Sequence, residues 1–122
     1  MNNHLFAFEK LQVWQDARKL TQLVYTITSK FPPQEQYGLT SQIRRATISI
    51  ASNIAEGSGR VSAKDQAHFY QIAYSSALEL YNQFIISNDL NMISEVELNA
   101  IKKQIEMVTN KLNALRKSRL NS

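Results

Sequence analysis

The chain has 122 residues, a mass of 14.0 kDa and a formal charge of +4, one domain's worth of sequence able to bury roughly two-thirds of its unfolded surface. The absence of cysteine excludes a disulfide framework, a thiolate nucleophile and a thiolate metal site, and fits a reducing compartment. The opening MNNHLFAFEK lacks the apolar run and cleavage site of a signal peptide, and no apolar run approaches ~20 residues, so a soluble cytoplasmic protein without membrane contact is expected.

Residues Met1 to Phe8 carry no helical signal, although Leu5, Phe6 and Phe8 suit packing onto a neighbour. A first helix is predicted over about 11–30, because Val13, Ala17, Leu20, Val24 and Ile27 recur at three- and four-residue spacing and Pro32-Pro33 cannot continue it. Trp14, Arg18 and Tyr25 lie together, about 90° from that stripe. They suit a neighbouring helix, with the guanidinium laid on a ring, or else the bases of a nucleic acid.

Gly38 opens a second helix, over 39–58, with three faces. Leu39, Ile43, Ala46, Ile50, Ile54 and Gly57 form an apolar stripe, while Ile48, Ala51 and Ala55 form a flatter one where another backbone can approach. Ser41, Arg45, Ser49, Ser52 and Glu56 are the polar third. The helix is expected to stop at Gly57-Ser58-Gly59, two glycines favouring left-handed backbone. A phosphate loop needs a strand before it, and nothing here reads as a strand.

The third helix, over 63–88, starts at Ser62 as N-cap with Asp65 three residues on. Phe69, Ile72, Ala73, Ser76, Leu80 and Phe84 are its predicted core stripe; Tyr70, Tyr74, Leu78, Tyr81 and Ile85 form a second one roughly 120° away, suited to an oligomer interface or a stacking platform. A capping box, Ser94 and Glu97, opens the fourth helix over 95–118, where Leu98, Ile101, Ile105, Val108, Leu112 and Leu115 alternate as a bundle seam. Four helices of matched length, about 30–38 Å each, joined by short links, predict an all-α, antiparallel up-down-up-down four-helix bundle in a single domain. Two of the helices own more apolar surface than one small core can use, which predicts a homo-oligomer.

Between Met1 and Asn110 ten basic residues balance ten acidic ones, so the excess is Lys111, Arg116, Lys117 and Arg119. Such a tail suits the negative end of a helix dipole and equally a polyanion. Arg44 and Arg45 point about 100° apart, so one can be tied into the bundle while the other faces outward. Glu56 and Glu79 make sense as structural ion-pair partners for that arginine pair across the bundle. The histidines are His4 and His68; Asp65 and His68 make one acid–x–x–His element where a di-metal bundle needs two, so no metal, no cofactor and no catalytic residue is expected.

Several strings carry a resemblance: Leu11-Gln12-Val13-Trp14, Phe31-Pro32, and the run YGLTSQIRRA from Tyr37 to Ala46. Ser49-Ile50, Asn53-Ile54-Ala55-Glu56-Gly57, Arg60, Ser62, Ser76 and Leu78-Glu79-Leu80 extend it. Over about 6–117 the chain resembles the bacterial four-helix bundle protein family, also called the 23S rRNA intervening-sequence protein family. Ala51 stands where many relatives have proline, which predicts a straighter second helix. The resemblance implies rings, commonly pentamers, and a connection to RNA. It also implies similarity to the accessory protein of diversity-generating retroelements, which binds nucleic acid and a reverse transcriptase.

Two functions stand from different classes: a non-catalytic, oligomeric nucleic-acid-binding module, and a protein-interaction scaffold without nucleic acid. For the first, the candidate contacts are Arg44, Arg45, Arg60, Lys111, Arg116, Lys117 and Arg119, repeated around a ring and meeting phosphates. For the oligomer interface they are Trp14, Tyr25, Ile48, Ala51, Ala55, Tyr70, Tyr74, Leu78, Tyr81 and Ile85. An enzyme, or a bundle acting on a small molecule, has little to work with.

Overall fold

Apolar periodicity and its punctuation place the helices closely to expectation in the computed structural model, which describes residues 5–121; His4 lies outside them. α1 spans Gln12–Thr28, α2 Leu39–Ser58, α3 Ala63–Asp89 and α4 Glu95–Leu120, with single 3-10 turns at Ala7–Lys10 and Pro33–Glu35. α1 stops two residues early because the chain tightens before Pro32: Lys30 and Phe31 donate their amides to Ile27 and Thr28, three residues back. Ser62 Oγ accepts the Asp65 amide at the start of α3, and Ser94 with Glu97 closes the reciprocal box at the start of α4.

α1 packs against α2 and α4, and α3 packs against the same two, so the helices form a square in chain order with no close backbone approach across the diagonals among the described residues. Side-chain pairs fix the directions. Arg44, early in α2, meets Thr28 at the end of α1; Lys111, late in α4, meets Asp16 at the start of α1. The result is the expected all-α, antiparallel up-down-up-down bundle, without a strand among the described residues.

The core confirms the stripes of α1, α2 and α4 but turns α3. Ile43, Ile50 and Ile54 are fully enclosed, as are Leu20, Val24, Ile101 and Val108. On α3 the enclosed residues are Tyr70, Ala73, Ala77, Leu80 and Phe84, whereas Phe69, Ile72 and Ser76 are only half-buried. Tyr70, assigned to an oligomer interface by its spacing, is therefore a core residue at 1% exposure. The cause lies on the neighbouring helix. A Cβ at Gly57 would stand 2.8 Å from Tyr70 Cε1 and 2.9 Å from Phe69 Cβ, so only glycine lets α3 present Tyr70 to α2 at this separation. Gly57→Ala should cost about 1–3 kcal/mol through overpacking, read as a lower urea midpoint at unchanged slope.

Gly57 and Gly59 do not adopt the left-handed backbone expected of them. Gly57 is helical and Gly59 has φ −90°; the left-handed residue among those described is Asn91, at φ 60° in the α3–α4 turn. Glu56 and Glu79 are likewise exposed and have no ion-pair partner among the described residues, correcting the expected ion pairs with Arg44 or Arg45. Glu79 lines a groove between α2 and α3 together with Arg45, but the two do not come within ion-pair distance, and an exposed pair there would gain little. The ion pair found among the described residues joins Lys111 to Asp16, which is 2% exposed within the apolar face of α1.

Candidate nucleic-acid interface

The arginine pair of α2 divides its work as their angular separation requires. Arg44 Nε donates to Thr28 Oγ1 at 2.9 Å, and its guanidinium lies over the Tyr25 ring, 4.4 Å from the centroid. Arg45 is exposed and has no carboxylate partner among the described residues. Arg45 is thus the outward member.

Three other arginines repeat the Arg44 arrangement. Arg18 stacks over Trp14 at 4.9 Å, as the sequence suggested, Arg60 over Phe69 at 4.4 Å and Arg116 over Tyr74 at 5.8 Å. A ring beneath a guanidinium restricts its motion and adds cation–π attraction. Phosphate binding to such an arginine then costs less side-chain entropy than binding to a free one.

Two members of the predicted basic set face inward instead. Lys111 neutralises Asp16, which also accepts a 3.1 Å hydrogen bond from Gln12 Nε2. Burial opposes the charged form of Asp16, but the hydrogen bonds from Lys111 and Gln12, with the charges of Lys111 and Lys19, outweigh it and hold the carboxyl below its ordinary range. Arg119 reaches Tyr70: burial pushes the Tyr70 hydroxyl up, against the charge and hydrogen bond of Arg119.

The remaining candidates do not meet in one patch. Arg44 and Arg45 sit at one end of the bundle, while Arg60, Arg116 and Lys117 gather at the other, roughly 20 Å away at 1.5 Å per helical residue. At that second end, Lys64, His68, Arg116 and Lys117 border an open groove of about 500 Å³ between α3 and α4. Cutting each helix at its middle, the half with the α2–α3 turn carries nine basic and four acidic side chains, and the other half five and six. The net charge is therefore polar along the bundle axis. Sequence reasoning named the tail but missed Lys64 and His68, one turn apart on α3, since nothing local shows that α4 ends beside them.

The predicted interface residues also separate. Trp14, Ala51, Tyr74 and Tyr81 are half-buried and packed on the core, and Ala55 is half-buried. Tyr25, Ile48, Leu78 and Ile85 are exposed, Leu78 to 51%. Ile48, Ala51 and Ala55 line, with Phe8 and Trp14, an apolar groove of about 470 Å³ between α1 and α2. Among the described residues no three metal-ligating side chains converge, and no helix is long and apolar enough to cross a membrane.

The fold is similar to that of a crystallised protein of unknown function from the S23 ribosomal protein family of Bacteroides thetaiotaomicron VPI-5482. That likeness has a TM-score of 0.80 and 19% identity, over 86% of this chain and 98% of the other. No curated protein matches the chain. The family model described as 23S rRNA-intervening sequence protein matches residues 9–114. That span runs from the 3-10 turn before α1 almost to the end of α4, taking in the arginine pair, Gly57 and the Asp16–Lys111 link, and the chain therefore belongs to the 23S rRNA-intervening sequence protein family.

Proposed function

We propose that this protein is a non-catalytic, oligomeric bundle that binds RNA through phosphates at its basic end. The observation that carries the reading is the axial separation of charge, nine basic against four acidic side chains in one half, in a family named for an rRNA element. Guanidiniums braced on Phe69 and Tyr74 stand ready there beside the exposed Lys64 and Lys117. Several copies in a ring would align these ends and multiply a weak contact. The exposed Ile48, Leu78 and Ile85 supply apolar surface for such assembly.

Electrophoretic retardation of 23S rRNA fragments across a salt series tests the reading. Binding should weaken steeply with salt, and Lys64→Ala and Lys117→Ala should each lower the slope of log affinity against log salt by about 1. The apolar groove between α1 and α2 favours a second reading, an interaction scaffold without nucleic acid, which predicts no retardation even at low ionic strength. Sedimentation addresses assembly separately, a lone 14.0 kDa species at micromolar concentration counting against the ring.

A further inference from the structure

The link before α2 leaves an aromatic side chain almost wholly in water. Tyr37 is 91% exposed, yet it stands on the rim of a groove of about 660 Å³ that Tyr25, Thr40, Arg44, Arg45 and Ile48 also line. The volume lies within the range of sites for small organic ligands. Its chemistry is one-sided: two phenol rings and two guanidiniums, with no carboxylate among the described lining residues. Arg44 is held on Tyr25 and by Thr28, whereas Arg45 is exposed. Thr40 is more than nine-tenths buried in the wall, and its Oγ1 has no hydrogen-bond partner. A planar group attached to an anion matches the exposed ring and the exposed guanidinium together.

We infer that this groove takes one unpaired nucleotide of a single strand, its base stacked on Tyr37 and its phosphate on Arg45. The inference rests on the nucleic-acid reading above and refines it: the basic end holds backbone, and the opposite end reads the presence of an unstacked base. An exposed tyrosine offers any base a π-face, so stacking discriminates single from paired strands without specifying sequence. The Arg44–Tyr25 stack lines the same groove and adds a second ring and a second cation.

Two labelled probes separate this site from phosphate binding: a short single-stranded oligoadenylate, and an abasic strand of the same length and charge. Wild-type protein should bind the oligoadenylate about tenfold more tightly than the abasic strand. Tyr37→Ala should remove that preference and leave affinity for the abasic strand unchanged, while Tyr37→Phe, which keeps the ring, should retain it. Because Tyr37 is almost fully exposed, neither change threatens the fold. Equal wild-type affinity for both probes removes the base site and leaves the phosphate reading standing. Failure to bind either probe at low salt removes both readings. An affinity loss in Tyr37→Ala accompanied by a changed sedimentation coefficient assigns the ring to a subunit contact and overturns the inference.

Discussion

Replacing Lys111 with methionine should destabilise the bundle by about 3 kcal/mol at neutral pH, the lower end for breaking a buried pair because the lysine itself is 41% exposed. The asymmetry between the partners is the reason. Asp16 is enclosed at 2% exposure, so losing Lys111 strands a carboxylate among apolar neighbours, with Gln12 as its remaining hydrogen-bond donor. Losing Asp16 instead frees an ammonium that can turn to water. Asp16→Leu should therefore cost less than Lys111→Met, and the double variant should recover much of the single loss. Urea unfolding of the three variants gives the coupling directly.

The same pair predicts a pH dependence with a definite sign. In the wild type the folded-state value of Asp16 lies below its ordinary 3.8, so its stabilisation is complete above that value and is lost as pH falls through the lower one. In Lys111→Met burial acts unopposed by the lysine and raises the carboxyl, so the penalty is largest at neutral pH and fades on acidification. The gap between the two proteins should narrow below neutrality and close under 3.8. A gap that stays constant with pH would show that Lys111 acts through packing rather than charge.

Tyr70→Ala should cost about 3–5 kcal/mol, the penalty for emptying the space of an enclosed aromatic. Tyr70→Phe keeps the ring and loses the Arg119 hydrogen bond, so it should cost about 1–2 kcal/mol. The distinction between core and interface is measurable. A core residue lowers the unfolding midpoint equally at all protein concentrations, whereas the loss from an interface residue fades on dilution, as the wild-type assembly also comes apart. Independence of concentration is expected, because α2 and α3 of one chain enclose the ring.

Sequence alone determined the local and angular features. Caps at Ser62 and Ser94 and the proline pair after α1 set the helix limits within two residues. Three- and four-residue spacing identified the inward faces of α1, α2 and α4, and the angle between Arg44 and Arg45 allowed one to be tied in while the other points away. Arg18 stacked on Trp14 was also legible, both residues lying one turn apart on the same helix. Periodicity fixes how residues on one helix stand relative to each other, but not how that helix is rotated about its axis.

Only the tertiary structure decided that rotation for α3. Its residues offered two stripes, and the close approach at Gly57, with the small Ala73 and Ala77, turned Tyr70 inward and left Phe69 half-buried. It also supplied every partner from a distant segment. Asp16 drew no notice in the spacing of α1, and its cation lies 95 residues away on α4. Folding likewise divided one predicted basic set between two ends of the bundle, because the length of α2 carries Arg44 and Arg60 to opposite poles, while the antiparallel run of α4 brings Lys117 beside Lys64. Charge and greasiness are properties of residues, whereas adjacency across helices depends on how closely backbones can approach, and here a single missing Cβ sets that distance.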